Sequence, residues 1–294
     1  MEFRVLKYFL MVAREESITK AAERLHITQP TLSRQMAELE ADMGVSLLVR
    51  GGRKIGLTPE GVLLRRRAEE IVFLVDKTEM EISESQEHLE GNITVGGGDL
   101  SATRGFIRLI KKFQQRHPAV KFTYFSAITN DLCERMDRGL TDVALLVKPF
   151  DVEKYEYISF GEKEPFGVFL RPNDPLAQKD SILLEDLKGK PVIMTTRKDL
   201  TNYFLGSEQS LADFQINVTV NLPNNAMLMV EEGMGYFMGC RGIIPYLDET
   251  RVCFRPFASP QKYSATALAW RRNQPFSRAA SAFISFLKEE LEKE

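Results

Sequence analysis

The sequence predicts a chain of three parts: a small helical head with a β-hairpin, one long helix, and a larger α/β body. Three observations support this. Three short helical patterns and a hairpin pattern fill the first 58 residues, an unbroken and mostly apolar series at alternating four- and three-residue spacing follows, and strand and helix patterns then alternate. With 294 residues, the chain is long enough for about two domains with cores of their own.

The composition is that of an ordinary globular protein, with 44% hydrophobic and 27% charged residues. No run approaches 18 apolar residues and the N-terminus lacks the cleavage site of a secretory signal, so we expect a cytoplasmic protein with no membrane partner. Three widely spaced cysteines, Cys133, Cys240 and Cys253, predict free, structural thiols in a reducing compartment; redox sensing is the less favoured alternative. The histidines are isolated, so no metal site is expected.

The charge is distributed unevenly along the chain. The 39 basic and 41 acidic residues give a net charge of −2, which by itself argues against a nucleic-acid partner. Residues 1–67, however, carry 12 basic and 8 acidic residues, whereas residues 68–90 carry one lysine and eight acids. This asymmetry is typical of proteins that bind nucleic acid through one domain.

The head is predicted to contain three short helices and a hairpin. The first helix is defined by apolar residues at helical spacing: Leu6, Phe9, Leu10 and Ala13. Thr19 is expected to cap the second helix, Pro30 lies in the first turn of the third, and Gly44 ends it. Residues 47–58 then indicate strand, turn and strand. Two helices joined by a short turn and followed by a basic hairpin form a winged helix-turn-helix.

A long linker helix is predicted to start with Thr58 as the cap and Pro59 as the first residue. Its seam residues follow a heptad pattern: Leu64, Ala68, Ile71, Val75, Thr78, Ile82, Ser85 and Leu89. An apolar seam of this length must be buried. We expect it to pair with the same helix of a second copy, because acidic residues cover its other faces; packing on the chain's own body is the alternative.

The body is predicted to begin after Gly91 and to alternate between strands and helices. The predicted strands are 93–96, 120–125, 142–147, 167–171, 191–195, 216–222, 235–240 and 264–272, and the predicted helices are 101–116, 129–138, 226–232 and 276–292. The βαβαβ order of the first five elements indicates a parallel sheet with helical crossovers.

The third head helix has one face suited to reading base pairs. Its apolar residues, Leu32, Met36 and Leu39, are expected to pack inward, which leaves short polar groups, one Arg and one Gln on the other side. The candidate DNA contacts on and before this helix are Thr28, Gln29, Pro30, Thr31, Ser33, Arg34 and Ala37. Arginine can form two hydrogen bonds with guanine and glutamine can pair with adenine, whereas Thr28 and the helix amides suit a phosphate.

The predicted hairpin carries three cations, Arg50, Arg53 and Lys54, which suit phosphates or the adjacent minor groove. The alternative for this whole surface is a solvated polar face without a ligand. The charge asymmetry and the small polar residues at the helix N-terminus favour DNA.

In the body, polar and small residues follow the ends of several strands where helices begin. The candidate ligand contacts are Gly98, Asp99, Leu100, Ser101, Ile128, Thr129, Thr195, Thr196, Arg197, Gly239 and Cys240. Helix amides and hydroxyl groups at such ends suit a carboxylate or phosphate, and Arg197 could balance its charge. Asp99 would instead repel an anion or select an amine. The alternatives are caps and turns without a ligand, or a nucleotide loop, but 96–101 matches neither dinucleotide nor Walker patterns.

One dense run of residues in the head matches a known pattern. Its members are Phe9, Val12, Ala13, Ser17, Ile18, Thr19, Ala21, Ala22, Leu25, Ile27, Gln29, Pro30, Leu32, Ser33, Gln35, Leu39, Glu40, Leu57, Thr58, Pro59, Glu60 and Gly61. The head thereby resembles that of LysR-type transcriptional regulators, with residues 18–37 on the family's helix-turn-helix window. Glu60 stands where the family often has alanine, and Val49 where an aromatic or small polar residue is common.

The resemblance implies a dimer or tetramer that binds an imperfect palindrome of double-stranded DNA, with paired linker helices. RNA polymerase is an open further partner. The body would be a two-lobed, periplasmic-binding-protein-like fold that binds a small effector between its lobes, with contacts at Ser101, Thr129, Thr195, Gly239 and Cys240. The implied domains are a DNA-binding head (1–58), a linker (59–90) and an effector domain (91–294).

The implied lobes are 91–161 with 265–294 and 164–262, joined by crossovers near 160–165 and 261–264. We expect no cofactor beyond an effector that bears a carboxylate or another anionic group. A small-molecule transport receptor is the second hypothesis, which the head and the missing signal argue against. An enzyme is the third, but the sequence contains no triad, carboxylate pair or metal constellation that we recognise.

Overall fold

A computed structural model describes residues 2–51, 54–83, 89–205, 213–258 and 263–292. The chain divides into two compact units, residues 1–83 and 84–294. Within the described residues, no helix is both long and apolar enough to cross a membrane.

The first unit contains four helices and one hairpin in its described residues. Its elements are α1 (Phe3–Glu15), α2 (Ile18–Leu25), α3 (Gln29–Met43), β1 (Leu48–Val49), β2 (Gly56–Leu57) and α4 (Pro59–Ser83). The strands are antiparallel, with Leu48 opposite Leu57. The core is formed by apolar residues of α1 to α3 and of the hairpin, among them Phe9, Val12, Ala22, Leu32, Met36, Leu39 and Leu47. The predicted winged helix-turn-helix is therefore confirmed.

The ends of α2 and α3 are determined by local capping. The prediction that Thr19 caps α2 is wrong: Ser17 is the cap, its Oγ accepts the N–H of Lys20 at 3.4 Å, and Thr19 lies inside the helix. The earlier serine is the residue with extended backbone, which a cap requires. The prediction that Pro30 lies in the first turn of α3 and that Gly44 ends it is confirmed, with Gly44 at φ 68°. The cap at the start of α3, which was not predicted, is Thr28, whose Oγ1 accepts the N–H of Thr31.

Gly61 lies where α4 begins against the hairpin. A Cβ atom at this position would lie 2.1 Å from the carbonyl oxygen of Leu47, so no larger residue fits without a shift of the backbone. Thr58 holds the same junction, because its hydroxyl donates to Ser46 O at 2.7 Å and accepts the N–H of Gly61 at 3.0 Å. These contacts give a physical reason for the Leu-Thr-Pro-Glu-Gly run of the sequence.

Of the seam residues whose burial the structure describes, the long helix α4 buries mainly the first ones within the unit. Leu64 packs against the head core and Ala68 is fully buried, whereas Ile71 is 38% exposed. Ser85 lies outside the described residues, and the side chain of Ile82 is likewise not described. Leu89 is not helical and packs instead against the core of the second unit, so the seam does not continue to this residue as predicted.

The second unit is built from two sheets. In chain order its elements are β3 (Gly91–Gly97), α5 (Ser101–Arg116), β4 (Val120–Ser126), α6 (Thr129–Asp137), β5 (Val143–Val147), β6 (Tyr155–Ser159), β7 (Glu164–Leu170), β8 (Pro191–Thr195), α7 (Lys198–Leu205), β9 (Gln215–Val220), α8 (Pro223–Glu231), β10 (Tyr236–Cys240), β11 (Cys253–Pro256), β12 (Tyr263–Ser264), β13 (Thr266–Arg271) and α9 (Arg278–Leu291).

Each sheet forms one lobe of the body. The sheet of lobe one has the order β4-β3-β5-β13-β6, and the sheet of lobe two has the order β11-β7-β10-β8-β9, with β12 paired to β7. The strands β4, β3 and β5 are parallel, as predicted. Where the chain passes between the lobes, Ser264 lies opposite Glu164 in antiparallel pairing. The predicted two-lobed α/β body is confirmed.

Candidate functional site

The candidate reading face of α3 is open to solvent. Thr28, Gln29, Pro30, Thr31 and Arg34 are exposed and Ser33 is partly exposed, whereas Leu32, Met36 and Leu39 on the other side are buried. The hydroxyl groups of Thr28 and Thr31 lie 2.8 Å apart, so they already interact at the helix N-terminus. The exposed face thus presents short polar groups and one guanidinium at the end of the helix where its dipole is positive.

The cations of this surface lie in exposed ion pairs. Arg34 lies 3.6 Å from Glu38 and Arg50 lies 2.8 Å from Glu40. Lys54 pairs with Glu16, and the hydrogen bond and charge of Lys54 lower the pKa of that carboxyl. Exposed ion pairs contribute little free energy, so a phosphate can replace Glu38 or Glu16 at small cost, whereas Glu40 is only 18% exposed and holds Arg50 more firmly. Arg53, predicted with this group, lies outside the described residues.

A cavity opens between the two lobes of the body. It encloses about 780 Å³ of space, part of it open to solvent. Nine of the predicted contacts line it: Gly98, Asp99, Leu100, Ile128, Thr129, Thr195, Arg197, Gly239 and Cys240. The remaining lining is mainly apolar and comes from both lobes, with Leu145, Phe166, Val220, Leu222, Phe237 and Met238 among its members. The structure therefore brings nine of the eleven predicted contacts together around one cavity.

Two predicted contacts do not line this cavity. Ser101 is the first residue of α5, and its Oγ donates to Glu164 Oε1 at 2.8 Å, beside a neighbouring groove. Thr196 is exposed, and its N–H donates to the carbonyl of Val220. Both residues lie at the expected point of the chain, but neither lines the cavity between the lobes.

Three helices begin at the cavity. The residues before α5, α6 and α8 are Leu100, Ile128 and Leu222, and each of them lines the cavity. None of these three side chains offers a hydrogen bond to its helix. Such N-termini carry N–H groups without intrahelical partners and a partial positive charge, which favours anions. The starts of α5 and α6 are predicted from the sequence. The start of α8 after Leu222 is not, because Pro223 and the asparagines that follow were not recognised as its first turn.

Two polar side chains of the lining form several hydrogen bonds within the protein. Thr129 Oγ1 accepts the N–H of Val147 at 3.0 Å and donates to its carbonyl at 3.3 Å. Arg197 is only 4% exposed and donates to Val147 O at 3.0 Å and to Pro149 O at 2.8 Å. Arg197 was predicted to balance the charge of an anionic ligand. In the structure its positive charge is balanced by Asp199, whose Oδ2 lies 2.5 Å from Arg197 Nη2.

A hydrogen bond between side chains of the two lobes crosses the mouth of the cavity. Asn224 Nδ2, at the start of α8, donates to Asp99 Oδ2 at 2.8 Å, and both groups are exposed. This bond satisfies one oxygen of the carboxylate that the sequence places near the ligand. The mouth is therefore bridged by side chains from both lobes.

The cysteines have the character of thiols rather than thiolates. Burial raises the pKa of Cys240 to about 11, and it also raises the pKa of Cys133 and Cys253. All three cysteines are free. High thiol pKa values argue against a role as reactive redox sensors. Among the described residues, no group of His, Cys, Asp and Glu gathers as a metal site.

Comparisons with known proteins agree with this architecture. The model of the bacterial regulatory helix-turn-helix protein, lysR family, matches residues 3–62, and the model of the LysR substrate binding domain matches residues 86–292. The Hca operon transcriptional activator HcaR of Escherichia coli (strain K12) is 29% identical over 300 residues, which cover 99% of this chain and 98% of that protein.

Two solved structures share the fold. Full-length CbnR in complex with its target DNA has a TM-score of 0.73 at 20% identity and covers 98% of this chain and 99% of its own. The effector binding domain of QuiR in complex with shikimate has a TM-score of 0.61 at 21% identity and covers 70% of this chain and 99% of its own. The chain belongs to the LysR family and is a transcriptional regulator, not an enzyme, with an N-terminal helix-turn-helix domain and a C-terminal effector-binding domain.

Proposed function

We propose that two heads of this regulator bind one imperfect palindrome of double-stranded DNA, and that a small anionic effector held between the lobes of the body modulates DNA binding or promoter activation. The observation that carries the first part is the exposed polar face of α3, with Arg34 at its centre. CbnR, whose structure was solved with its target DNA, has the same fold.

In this proposal, α3 enters the major groove and reads base edges. Arg34 donates two hydrogen bonds to a guanine, Gln29 pairs with an adenine, and Thr31 and Ser33 contact neighbouring edges. Thr28, Pro30 and the first amides of the helix lie against a phosphate. Arg50 and Lys54, together with Arg53, contact phosphates or the adjacent minor groove from the wing.

The proposal requires at least a dimer, because a single head carries a small positive charge and makes few phosphate contacts. The exposed part of the α4 seam, which starts at Ile71, supports pairing of two linker helices. The proposed domains are 1–58, 59–90 and 91–294. Since bacterial DNA lies in the cytoplasm, the proposed site of action is the cytoplasm, and RNA polymerase is a further partner if the protein activates transcription.

The proposed effector is a small molecule with an apolar body and one anionic group. The apolar lining suits the body, and the N-termini of α5, α6 and α8 suit the anion. The effector-binding domain of QuiR, which shares this fold, was solved with the small molecule shikimate. In this proposal, backbone amides at the three helix starts receive the anion in place of Ser101 and Arg197.

The DNA part is tested by a mobility-shift titration of the full-length protein with the DNA that flanks its own gene. We expect a shift that a scrambled duplex of equal length does not give, and a loss of most of the affinity between about 50 and 200 mM salt. Equal binding to both duplexes would contradict sequence-specific recognition.

A further inference from the structure

We propose that Arg197 is a positioning residue of the effector cleft. It links lobe two to lobe one and holds the N-terminus of α6 in place, and it does not itself receive the effector's anionic group. This inference rests on the proposed effector site. It says that Arg197 keeps the two lobes at the distance that this site requires.

The first step is that the guanidinium crosses the cleft. Arg197 follows β8 of lobe two, whereas its two carbonyl acceptors, Val147 O and Pro149 O, lie at and just beyond the end of β5 in lobe one. The side chain is almost completely buried, so these bonds form away from water, where they are electrostatically stronger than at the surface. The contact between Asp99 and Asn224 also crosses the cleft, but its groups are exposed.

The second step leads from Arg197 to the anion-binding end of α6. The carbonyl of Val147 accepts from Arg197 and from the hydroxyl of Thr129, and the N–H of Val147 donates back to that hydroxyl. Thr129 is the first residue of α6. A shift of Arg197 would therefore move Val147 and, with it, the helix amides that are proposed to bind the effector.

The third step concerns charge. Asp199 accepts from Arg197 through both oxygens, at 2.5 Å to Nη2 and 3.4 Å to Nε. Burial alone would raise the pKa of Asp199, but its hydrogen bond and charge pairing with Arg197 outweigh burial and lower this pKa. The aspartate therefore keeps its negative charge at neutral pH. An incoming anion would have to displace it, which makes Arg197 a poor receptor for the effector.

The test compares two probes, benzoate and its neutral analogue benzyl alcohol, which differ in charge but not in ring size. Binding of each is measured by calorimetry with the full-length protein and with the variants Arg197→Met, Arg197→Lys and Asp199→Asn. If Arg197 positions the cleft, Arg197→Met and Arg197→Lys each weaken benzoate by a factor of about ten, because neither side chain can hold both carbonyls in place. Benzyl alcohol is weakened less, because the displaced amides of α6 act mainly on the anion. If Arg197 received the anion directly, Arg197→Lys, which keeps the positive charge, would bind benzoate like the wild type, and Asp199→Asn would strengthen benzoate selectively; either result overturns the proposal.

Hydrogen exchange gives a second readout that a general loss of stability would not reproduce. In Arg197→Met, we expect the Val147 amide to exchange about tenfold faster. The Ile158 amide of β6, in the same sheet and opposite Leu268, should keep its rate. Unchanged exchange at Val147 would overturn the proposal. If Arg197→Met does not fold, the same exchange measurement is made on Arg197→Lys. A single ammonium group cannot hold both carbonyls and Asp199, so this variant also loses the link between the lobes.

The two proposals fail in different ways. If the wild-type protein binds neither benzoate nor benzyl alcohol, the cleft does not bind the proposed class of effector, and the role of Arg197 is overturned with it. If the wild type binds both probes and Arg197→Met binds them equally well, only the positioning role is overturned.

Discussion

Glu40 of α3 joins this helix to the hairpin of β1 and β2 through Arg50. Glu40 Oε2 accepts from Arg50 Nη2 at 2.8 Å, while Oε1 accepts the backbone N–H groups of Leu47 and Leu48 at 2.8 and 3.0 Å. The Glu40 side chain is only 18% exposed. One carboxylate thus satisfies two backbone donors and fixes the position of a cation on the proposed DNA-binding surface.

The first prediction concerns this carboxylate. Glu40→Ala leaves the N–H groups of Leu47 and Leu48 without their acceptor, so we expect it to lower the free energy of unfolding by roughly 1–3 kcal/mol. Chemical denaturation of the full-length protein measures this loss. Glu40→Gln is the matched control, because its amide oxygen can still accept from the backbone. An equal loss of unfolding free energy in both variants would show that the bonds from Glu40 to the backbone do not contribute to stability.

The second prediction concerns base reading. Arg34→Ala is expected to weaken binding to the specific DNA by roughly 1–3 kcal/mol and to relax the preference for one sequence, because a bidentate contact with guanine is lost. Mobility shifts with the specific and the scrambled duplex give both quantities. Arg108→Ala, which removes the same charge from an exposed position of the body, is the control. If Arg34→Ala distinguishes the specific from the scrambled duplex as well as the wild type does, Arg34 does not read a base.

The third prediction concerns assembly through α4. A charged residue in a buried apolar seam is costly, so Ile71→Asp should weaken self-association by at least about tenfold. Analytical ultracentrifugation measures the association constant. Glu69→Ala, at an exposed position of the same helix, should leave it unchanged. If Ile71→Asp assembles like the wild type, the linker helices do not form the interface.

The fourth prediction concerns thiol chemistry. Because burial raises the pKa of Cys240 to about 11, its thiol stays protonated at pH 8. We expect iodoacetamide to label the partly exposed Cys133 first and to leave Cys240 and Cys253, both buried, unlabelled in the folded protein. Mass spectrometry of digests identifies the sites. Rapid labelling of Cys240 at pH 8 would contradict its assignment as a structural thiol.

Most of the head could be predicted from sequence because its signals are local. Pro30 and Gly44 mark α3 whatever surrounds them, and Thr58 with Pro59 marks the start of α4. The cap of α2 was misplaced because Ser17 and Thr19 are both good caps, and only the backbone conformation chooses between them.

The first half of lobe one was predicted closely because strands and helices alternate there with clear periodicity. The strand β6, the helix α7 and the strand β11 were not predicted. They are short, and the burial of the two strands depends on partners far along the chain: β6 pairs with β13, and β11 pairs with β7. Local patterns contain little information about such pairings.

Most residues around the cavity could be predicted from the sequence, but the partners of their side chains could not. The rule that ligands bind near the carboxyl ends of strands brought nine residues of the lining together. It could not show that Ser101 turns to Glu164, or that Arg197 is neutralised by Asp199 two residues later. Side-chain direction and ion pairing depend on the packing of both lobes, which the order of residues does not reveal.

The most direct test of the central claim is a footprint of the full-length protein on the DNA that flanks its own gene. The account predicts two protected half-sites related by an approximate dyad, with centres about one helical turn or a multiple of it apart, and loss of both in Arg34→Ala. Protection of a single unpaired site, or a footprint that Arg34→Ala leaves intact, would contradict recognition of a palindrome by two α3 helices.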